Sequence, residues 1–140
     1  MKKFLPVLIF VVVIGVVIFL SYKPNEKIIY FNDMSLVEYE GDSFSYDDIE
    51  RRNKHLIFTS FYGVDTLYAY AGTSGVVTLD IDINLRRGEV KVILIDSALN
   101  IVELSDGENQ IDIKTFDKIK IIGKNASGEI SVSLLEFQTD

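Results

Sequence analysis

The stretch VTLDIDINLR, residues 77–86, decides the fold of this 140-residue chain. Its aliphatic side chains occupy every odd-numbered position and its polar side chains every even-numbered position. Because alternate side chains of a β-strand point to opposite faces, this period of two predicts a strand that is buried on one face. Ten residues is long for a strand, so we expect it to lie in the middle of a sheet.

The residues that follow predict a hairpin. Arg87-Gly88-Glu89 has the composition of a turn, and residues 90–95, VKVILI, read as the returning strand. Lys91 is the only polar side chain in that second strand. A strand of this composition is expected to be covered on both faces.

Short strand patterns separated by turn residues continue in both directions from this hairpin. Residues 47–54 (DDIERRNK) instead suggest one or two helical turns or a polar loop. A parity slip at Leu135 predicts a β-bulge in the last strand. The other predicted strands are residues 27–32, 35–40, 44–46, 55–62, 64–71, 101–104, 110–114, 118–122 and 129–137. This pattern favours an all-β fold, an antiparallel β-sandwich or jelly-roll-like domain.

An apolar run, residues 4–20 (FLPVLIFVVVIGVVIFL), precedes the predicted strands. Its 17 residues would span roughly 26 Å as a helix, close to the hydrocarbon thickness of a bilayer. A cleaved signal peptide is the alternative, but residues 18–22 lack the small-residue pattern of a cleavage site. We therefore expect one retained transmembrane helix within a signal anchor, residues 1–23. Residues 24–140 then form an extracytoplasmic domain.

Charge sets the expected topology and the class of partner. Lys2 and Lys3 favour a cytoplasmic N-terminus in a single-pass protein of the cell membrane. Residues 24–140 keep 11 of the 14 basic residues and all 21 acidic ones, which gives a net charge of −10. Such a charge argues against nucleic acid as a partner. The expected partners are the lipid bilayer, through residues 4–20, and a cell-wall polymer or another surface protein.

The polar side chains suggest no catalytic, cofactor or metal site. Asp80, Asp82 and Asn84 have the opening spacing of a calcium loop, but Leu85 and Lys91 stand where such a loop needs Gly and Glu. They are interpreted as a solvent-facing polar strip, and a surface calcium site assembled with a neighbouring strand is the alternative. His55 is the only histidine, cysteine is absent, and no serine lies in a G-x-S-x-G motif. We therefore predict a protein that is not an enzyme.

Two features of the sequence suggest weak binding sites. Tyr68 and Tyr70 share one face of a predicted strand and are the candidate ligand-binding residues, since phenol rings can stack on sugars. Burial in the core is the alternative for these aromatic residues. Arg51, Arg52 and Lys54 form a small basic cluster that is either solvated or in contact with anionic headgroups.

Several segments together carry a family resemblance. They are residues 60–64 (SFYGV), 67–70 (LYAY), Gly88 with the following VKVILID, and 121–124 (IIGK). In this layout the chain resembles small membrane- or lipid-anchored extracytoplasmic β-sandwich proteins of Gram-positive bacteria. The resemblance implies a location and a fold but no activity. We expect a membrane-tethered, non-catalytic interaction or scaffold domain, and a carbohydrate- or cell-wall-binding module is the alternative.

Overall fold

The computed structural model describes residues 26–138, in which seven β-strands form one curled antiparallel sheet. The strands are β1 Ser43–Ser45, β2 Asp48–Arg52, β3 His55–Ala69, β4 Gly75–Ile95, β5 Ile101–Leu104, β6 Gly107–Ile113 and β7 Lys118–Gln138. The strand order is β1-β3-β7-β4-β5, with β2 also paired to β3 and β6 also paired to β4. The prediction of an all-β antiparallel fold is confirmed at this level.

The predicted membrane helix at residues 4–20 lies outside the described residues. Within residues 26–138, no helix has both the length and the apolar character needed to cross a bilayer.

The centre of the sheet is the pairing of β4 with β7, which extends from Val76 opposite Gln138 to Ile95 opposite Lys118. Strands of 21 residues cannot stay flat, because each strand twists and neighbouring strands rotate against one another. Bulges let the sheet curl, so both halves of β4 contribute to one core. Ile81 from the first half and Val92 from the second belong to the same buried cluster.

The hairpin predicted around Gly88 is wrong, because residues 87–89 continue β4 rather than reverse it. Gly88 has a φ of +75°, and a Cβ placed on it would lie 2.1 Å from the backbone oxygen of Asn125 in β7. The register shifts around this position form a bulge. The bulge also shifts the alternation of buried and exposed side chains by one position. As a result, the odd-numbered Ile81 before it and the even-numbered Val92 after it face the same core.

Two further turns predicted from glycines are also bulges within long strands. Gly63 lies inside β3, where it has a φ of +97°. Residues 123–128 lie inside β7, so the strands predicted at 118–122 and 129–137 are one strand. The bulge predicted at Leu135 is confirmed, since Leu134 pairs with Leu79 and Glu136 with the adjacent Thr78.

The strands predicted at residues 27–32 and 35–40 are wrong. This part of the chain forms a 3-10 turn at Glu26–Ile28, a single turn α1 at Ile29–Asn32, and a second 3-10 turn at Met34–Leu36. The Asp33 carboxylate accepts a hydrogen bond of 3.0 Å from the Ser35 backbone N–H and caps that second turn. Residues 26–42 are called the strap below.

The strap folds this way because its apolar residues cover the outer face of β4 and β7. Tyr30, Phe31 and Val37 pack against a cluster that contains Ile93 and Ile122. Residues 92–95 are consequently buried on both faces of the sheet. The prediction that residues 90–95 form a strand covered on both faces is thereby confirmed for those four positions.

Lysine side chains fasten the strap to the sheet. The Lys120 ammonium is fully buried and donates to the Glu38 carbonyl at 2.6 Å, the Gly41 carbonyl at 2.8 Å and the Asp42 carboxylate at 2.9 Å. Each N–H donor of a buried ammonium needs an acceptor, and here three acceptors surround it. Two flanking lysines act similarly: Lys91 donates to the Phe31 carbonyl at 2.9 Å and Lys118 to the Tyr39 carbonyl at 3.1 Å.

The helical turns suggested for residues 47–54 are also wrong. Residues Asp48–Arg52 form β2, which turns back into β3 through Asn53 and Lys54, with Arg52 opposite His55. Lys54, the second residue of this turn, has a φ of +59°. Pairing with β3 satisfies more backbone groups than an isolated helical turn would.

A buried carboxylate of β3 contacts both β2 and the residue that follows β1. Asp65 is 3% exposed, accepts a hydrogen bond of 2.7 Å from the Tyr46 hydroxyl and is paired with the Arg51 guanidinium. Burial, and then the hydrogen bond to Asp65, raises the pKa of Tyr46 above its ordinary value. The Tyr46 ring stacks on Phe61, with centroids 4.7 Å apart.

We predict that alkali weakens the fold through Tyr46. A tyrosine whose folded-state pKa is raised stabilises the fold fully below pH about 10 and loses that contribution as the pH rises further. Tyr46→Phe should therefore cost about 1 kcal/mol at neutral pH, the value of one hydrogen bond. The difference from the wild type should shrink above pH 10, as measured by urea unfolding from pH 7 to 11. A difference that stays constant over this range would contradict the prediction.

Candidate functional site

The strip formed by Asp80, Asp82 and Asn84 lies on the outer face of β4, as the sequence predicts. Side chains of β7 extend it, because each member faces a polar residue across the strand pair. The pairs are Asp80 opposite Ser133, Asp82 opposite Ser131, and Asn84 opposite Glu129. On the other side of β7, His55 at the start of β3 faces Ser131. Three adjacent strands therefore share one polar face.

A groove of about 560 Å³ crosses this face beside the turn that joins β2 to β3. Its polar lining consists of Asn53, Lys54, His55, Asp82, Glu129, Ser131 and Ser133. Val132 and Leu134 add apolar surface where β7 extends past His55, the first residue of β3. We call this feature the polar groove.

Glu129 is the most connected side chain of the polar groove. Its Oε2 lies 3.2 Å from Nε2 of His55, and its Oε1 accepts a hydrogen bond of 3.3 Å from the Asn84 amide. The carboxylate, imidazole and amide are thus held together across three strands. The imidazole contacts a carboxylate and not a serine hydroxyl, so this geometry supplies no activated serine among the residues described.

Sequence reasoning missed the contact between His55 and Glu129 because 74 positions separate them. The only local signal is the alternation of buried and exposed positions along each strand. His55 precedes the buried Leu56, and Glu129 precedes the buried Ile130, so both belong to outward faces. The pairing of β3 with β7, which brings them together, is not visible in either stretch alone.

Tyr68 and Tyr70 line a small apolar pocket that shares Lys54, Val132 and Leu134 with the polar groove. Tyr70 is only 7% exposed, and its hydroxyl donates to the Thr73 carbonyl at 2.8 Å. Tyr68 is half-buried, with the Lys54 ammonium 4.4 Å from its ring centroid. The pocket they line has a cavity volume of about 20 Å³, which is room for roughly one water molecule. The two rings therefore do not form an open stacking platform.

The basic cluster near residue 52 is engaged within the domain. Arg51 pairs with the buried Asp65, and the Arg52 Nε donates to Glu50 at 2.7 Å. Lys54 lies over the Tyr68 ring. Each of the three cations thus has an intramolecular partner, which leaves less charge for a lipid headgroup.

No group of three or more His, Asp or Glu side chains within residues 26–138 is placed to hold a metal ion. A strand projects its side chains in a row, whereas calcium needs six to eight oxygens around one point. The side chains of the polar strip on β4 lie in such a row and do not surround one point.

We predict that millimolar calcium leaves the melting temperature of the protein unchanged. A site in the folded state would add RT ln(1 + [L]/Kd), about 2.7 kcal/mol at a hundredfold excess over Kd. That would raise the melting temperature of a domain of this size by more than about 5 °C in a calorimetric scan. Such a rise, lost in Asp80→Asn, would show instead that the polar strip binds calcium.

Comparison with protein-family models, with curated proteins and with solved structures finds no match to this chain. The geometry of the polar groove and of the strap therefore carries the functional argument alone.

Proposed function

We propose that this chain is a membrane-tethered, non-catalytic interaction or scaffold module. Residues 4–20 cross the cell membrane once with the N-terminus in the cytoplasm, and the domain lies outside as a β-sandwich-like body. Its role is to hold a binding surface beside the bilayer.

The strap is the observation that supports this proposal. Lys27 already donates to the Phe44 carbonyl at 3.0 Å, so the domain begins to hold the chain at that residue. Only residues 21–26 separate it from the apolar run. Six residues span at most about 20 Å when extended, so a tether of this length keeps the domain near the membrane surface.

Protease protection and membrane extraction test the tether. Protease added to intact spheroplasts should degrade the domain, and carbonate washing should leave the full-length protein in the membrane pellet. A matched variant, Val12→Lys with Ile14→Lys, should move the protein to the soluble fraction, because lysines at the centre of the run are costly in lipid. A wild-type protein that starts after about residue 21 and is released would refute the tether.

A carbohydrate- or cell-wall-binding module is the second candidate. The observation that favours it is the polar groove, which is larger and more open than the pocket around Tyr68 and Tyr70.

A further inference from the structure

We infer that the polar groove is a binding site for a neutral, hydroxyl-rich oligosaccharide. The inference deepens the proposed function, since it rests on the domain binding its partner without reacting with it. It assigns recognition to Glu129, Asp82, His55 and two serines of β7, Ser131 and Ser133, instead of to the tyrosine pair.

The groove offers acceptors and donors side by side, as sugar hydroxyls require. A hydroxyl donates one hydrogen bond and can accept others, so a site for adjacent hydroxyls needs both kinds of partner. Asp82 and Glu129 supply carboxylate oxygens, and Asn53 supplies an amide. Ser131 and Ser133 add hydroxyl groups on the same face. The chemistry of this lining is therefore complementary to a polyol.

Two of the polar groups in the groove, those of Glu129 and His55, are held in place before a ligand arrives. Glu129 is held between His55 and Asn84 at 3.2 and 3.3 Å, and all three side chains stand on strands rather than on loops. A side chain already held in one orientation loses less entropy on binding. Such an arrangement suits a weakly interacting, uncharged ligand, which cannot contribute a strong ionic contact of its own.

Apolar surface in the groove matches the C–H surface of a sugar ring. Leu134 is 46% exposed in the part of β7 that extends past His55, the first residue of β3, and Val132 is buried. Binding sites for small molecules combine such apolar patches with a few placed polar groups. The apolar face of a sugar ring would cover Leu134, while the hydroxyl groups of the sugar reach the polar side chains of β4 and β7.

The charges disfavour an anionic ligand. Two carboxylates that line the groove, those of Asp82 and Glu129, would repel it. They outnumber the ammonium of Lys54, which also lines the groove and lies over the Tyr68 ring. A cationic peptide is the competing class, because two carboxylates line the groove. Glu129 is already in contact with His55 and Asn84, which reduces its attraction for a free cation, so the neutral polyol is favoured.

Histidine-labelled NMR provides a direct test on the full-length chain in phosphatidylcholine nanodiscs. His55 is the only histidine of the chain, so isotope labelling of histidine places a single reporter in the groove. The probes are the tetramer of N-acetylglucosamine, the β-linked tetramer of glucose, and tri-lysine. We expect at least one tetrasaccharide to shift the His55 ring signals saturably and tri-lysine to leave them in place.

Variants then locate the site. Asp82→Ala and Glu129→Gln should each weaken tetrasaccharide binding at least about tenfold, a change of 1.4 kcal/mol. Asp112→Ala is the matched control, because it removes an exposed carboxylate of β6 that does not line the groove, and it should leave binding unchanged. Thermal melts of all three variants show whether the fold is kept.

The unfavourable results differ from one another. Binding of tri-lysine alone would replace the oligosaccharide by a cationic peptide, and no saturable shift with any probe would overturn the site. Tetrasaccharide binding that both groove variants leave unchanged would also overturn it. Release of new reducing ends from a bound tetrasaccharide would refute the non-catalytic function while leaving the assignment of the groove intact.

Discussion

Ile81→Asp is expected to unfold the domain. Ile81 lies in the middle of β4 with no exposed surface, inside the cluster shared by both halves of the curled sheet. A carboxylate there would lie among the apolar side chains of this cluster, and burying an unpaired charge costs several kcal/mol. Since small domains are stable by only about 5–15 kcal/mol, a loss of this size removes most of the margin. Urea unfolding followed by circular dichroism measures it.

Asp82→Asn is the matched control, one residue further along the same strand. Asp82 is exposed on the outer face, so losing its charge should change the unfolding free energy by no more than about 0.5 kcal/mol. Similar losses in the two variants would show that the faces of β4 are assigned wrongly.

Gly88→Ala should cause the second-largest loss, about 3 kcal/mol. Part of the cost is the positive φ of Gly88, which a residue with a Cβ adopts at an expense of about 1–2 kcal/mol. The rest is steric, because the new methyl group would lie 2.1 Å from the Asn125 carbonyl oxygen. That oxygen belongs to the backbone of β7, which is paired on both sides and cannot move away cheaply.

Gly107→Ala separates the two contributions to this loss. Gly107 also has a positive φ, +89°, but a Cβ placed on it meets no atom within 4 Å. Its substitution should therefore cost only the conformational part, about 1–2 kcal/mol. If the two alanine variants unfold at the same urea concentration, the close approach of β4 and β7 at the bulge is not as described.

Local patterns predicted the faces of the strands but not their lengths. Residues 77–86 alternate strictly, and the burial of Ile81 and the exposure of Asp82 follow from that period alone. Gly88 is different, because a glycine with a positive φ serves equally in a reversing turn and in a bulge. Which of the two forms depends on whether a partner strand continues beside it, and that partner begins thirty positions later at Lys118.

The strap and the groove were missed for the same physical reason. Residues 27–32 have a composition that fits a strand, yet they fold over an apolar sheet face supplied by Ile93 and Ile122. His55 and Glu129 meet only through the pairing of β3 with β7. Long-range partners decide both features, and neither composition nor periodicity reports on a partner that is far away in sequence.

The lysine-fastened strap also has a mechanical consequence. A pulling force that enters the chain ahead of residue 26 reaches the strap before it reaches the sheet. The strap is bonded to β4 through Lys91 and to β7 through Lys118 and Lys120, so the load passes into the two strands with the longest mutual pairing. These bonds can break one after another while the strand ladder stays closed. Under tension the strap is therefore expected to peel away first, lengthening the chain between the point of attachment and a sheet that remains folded.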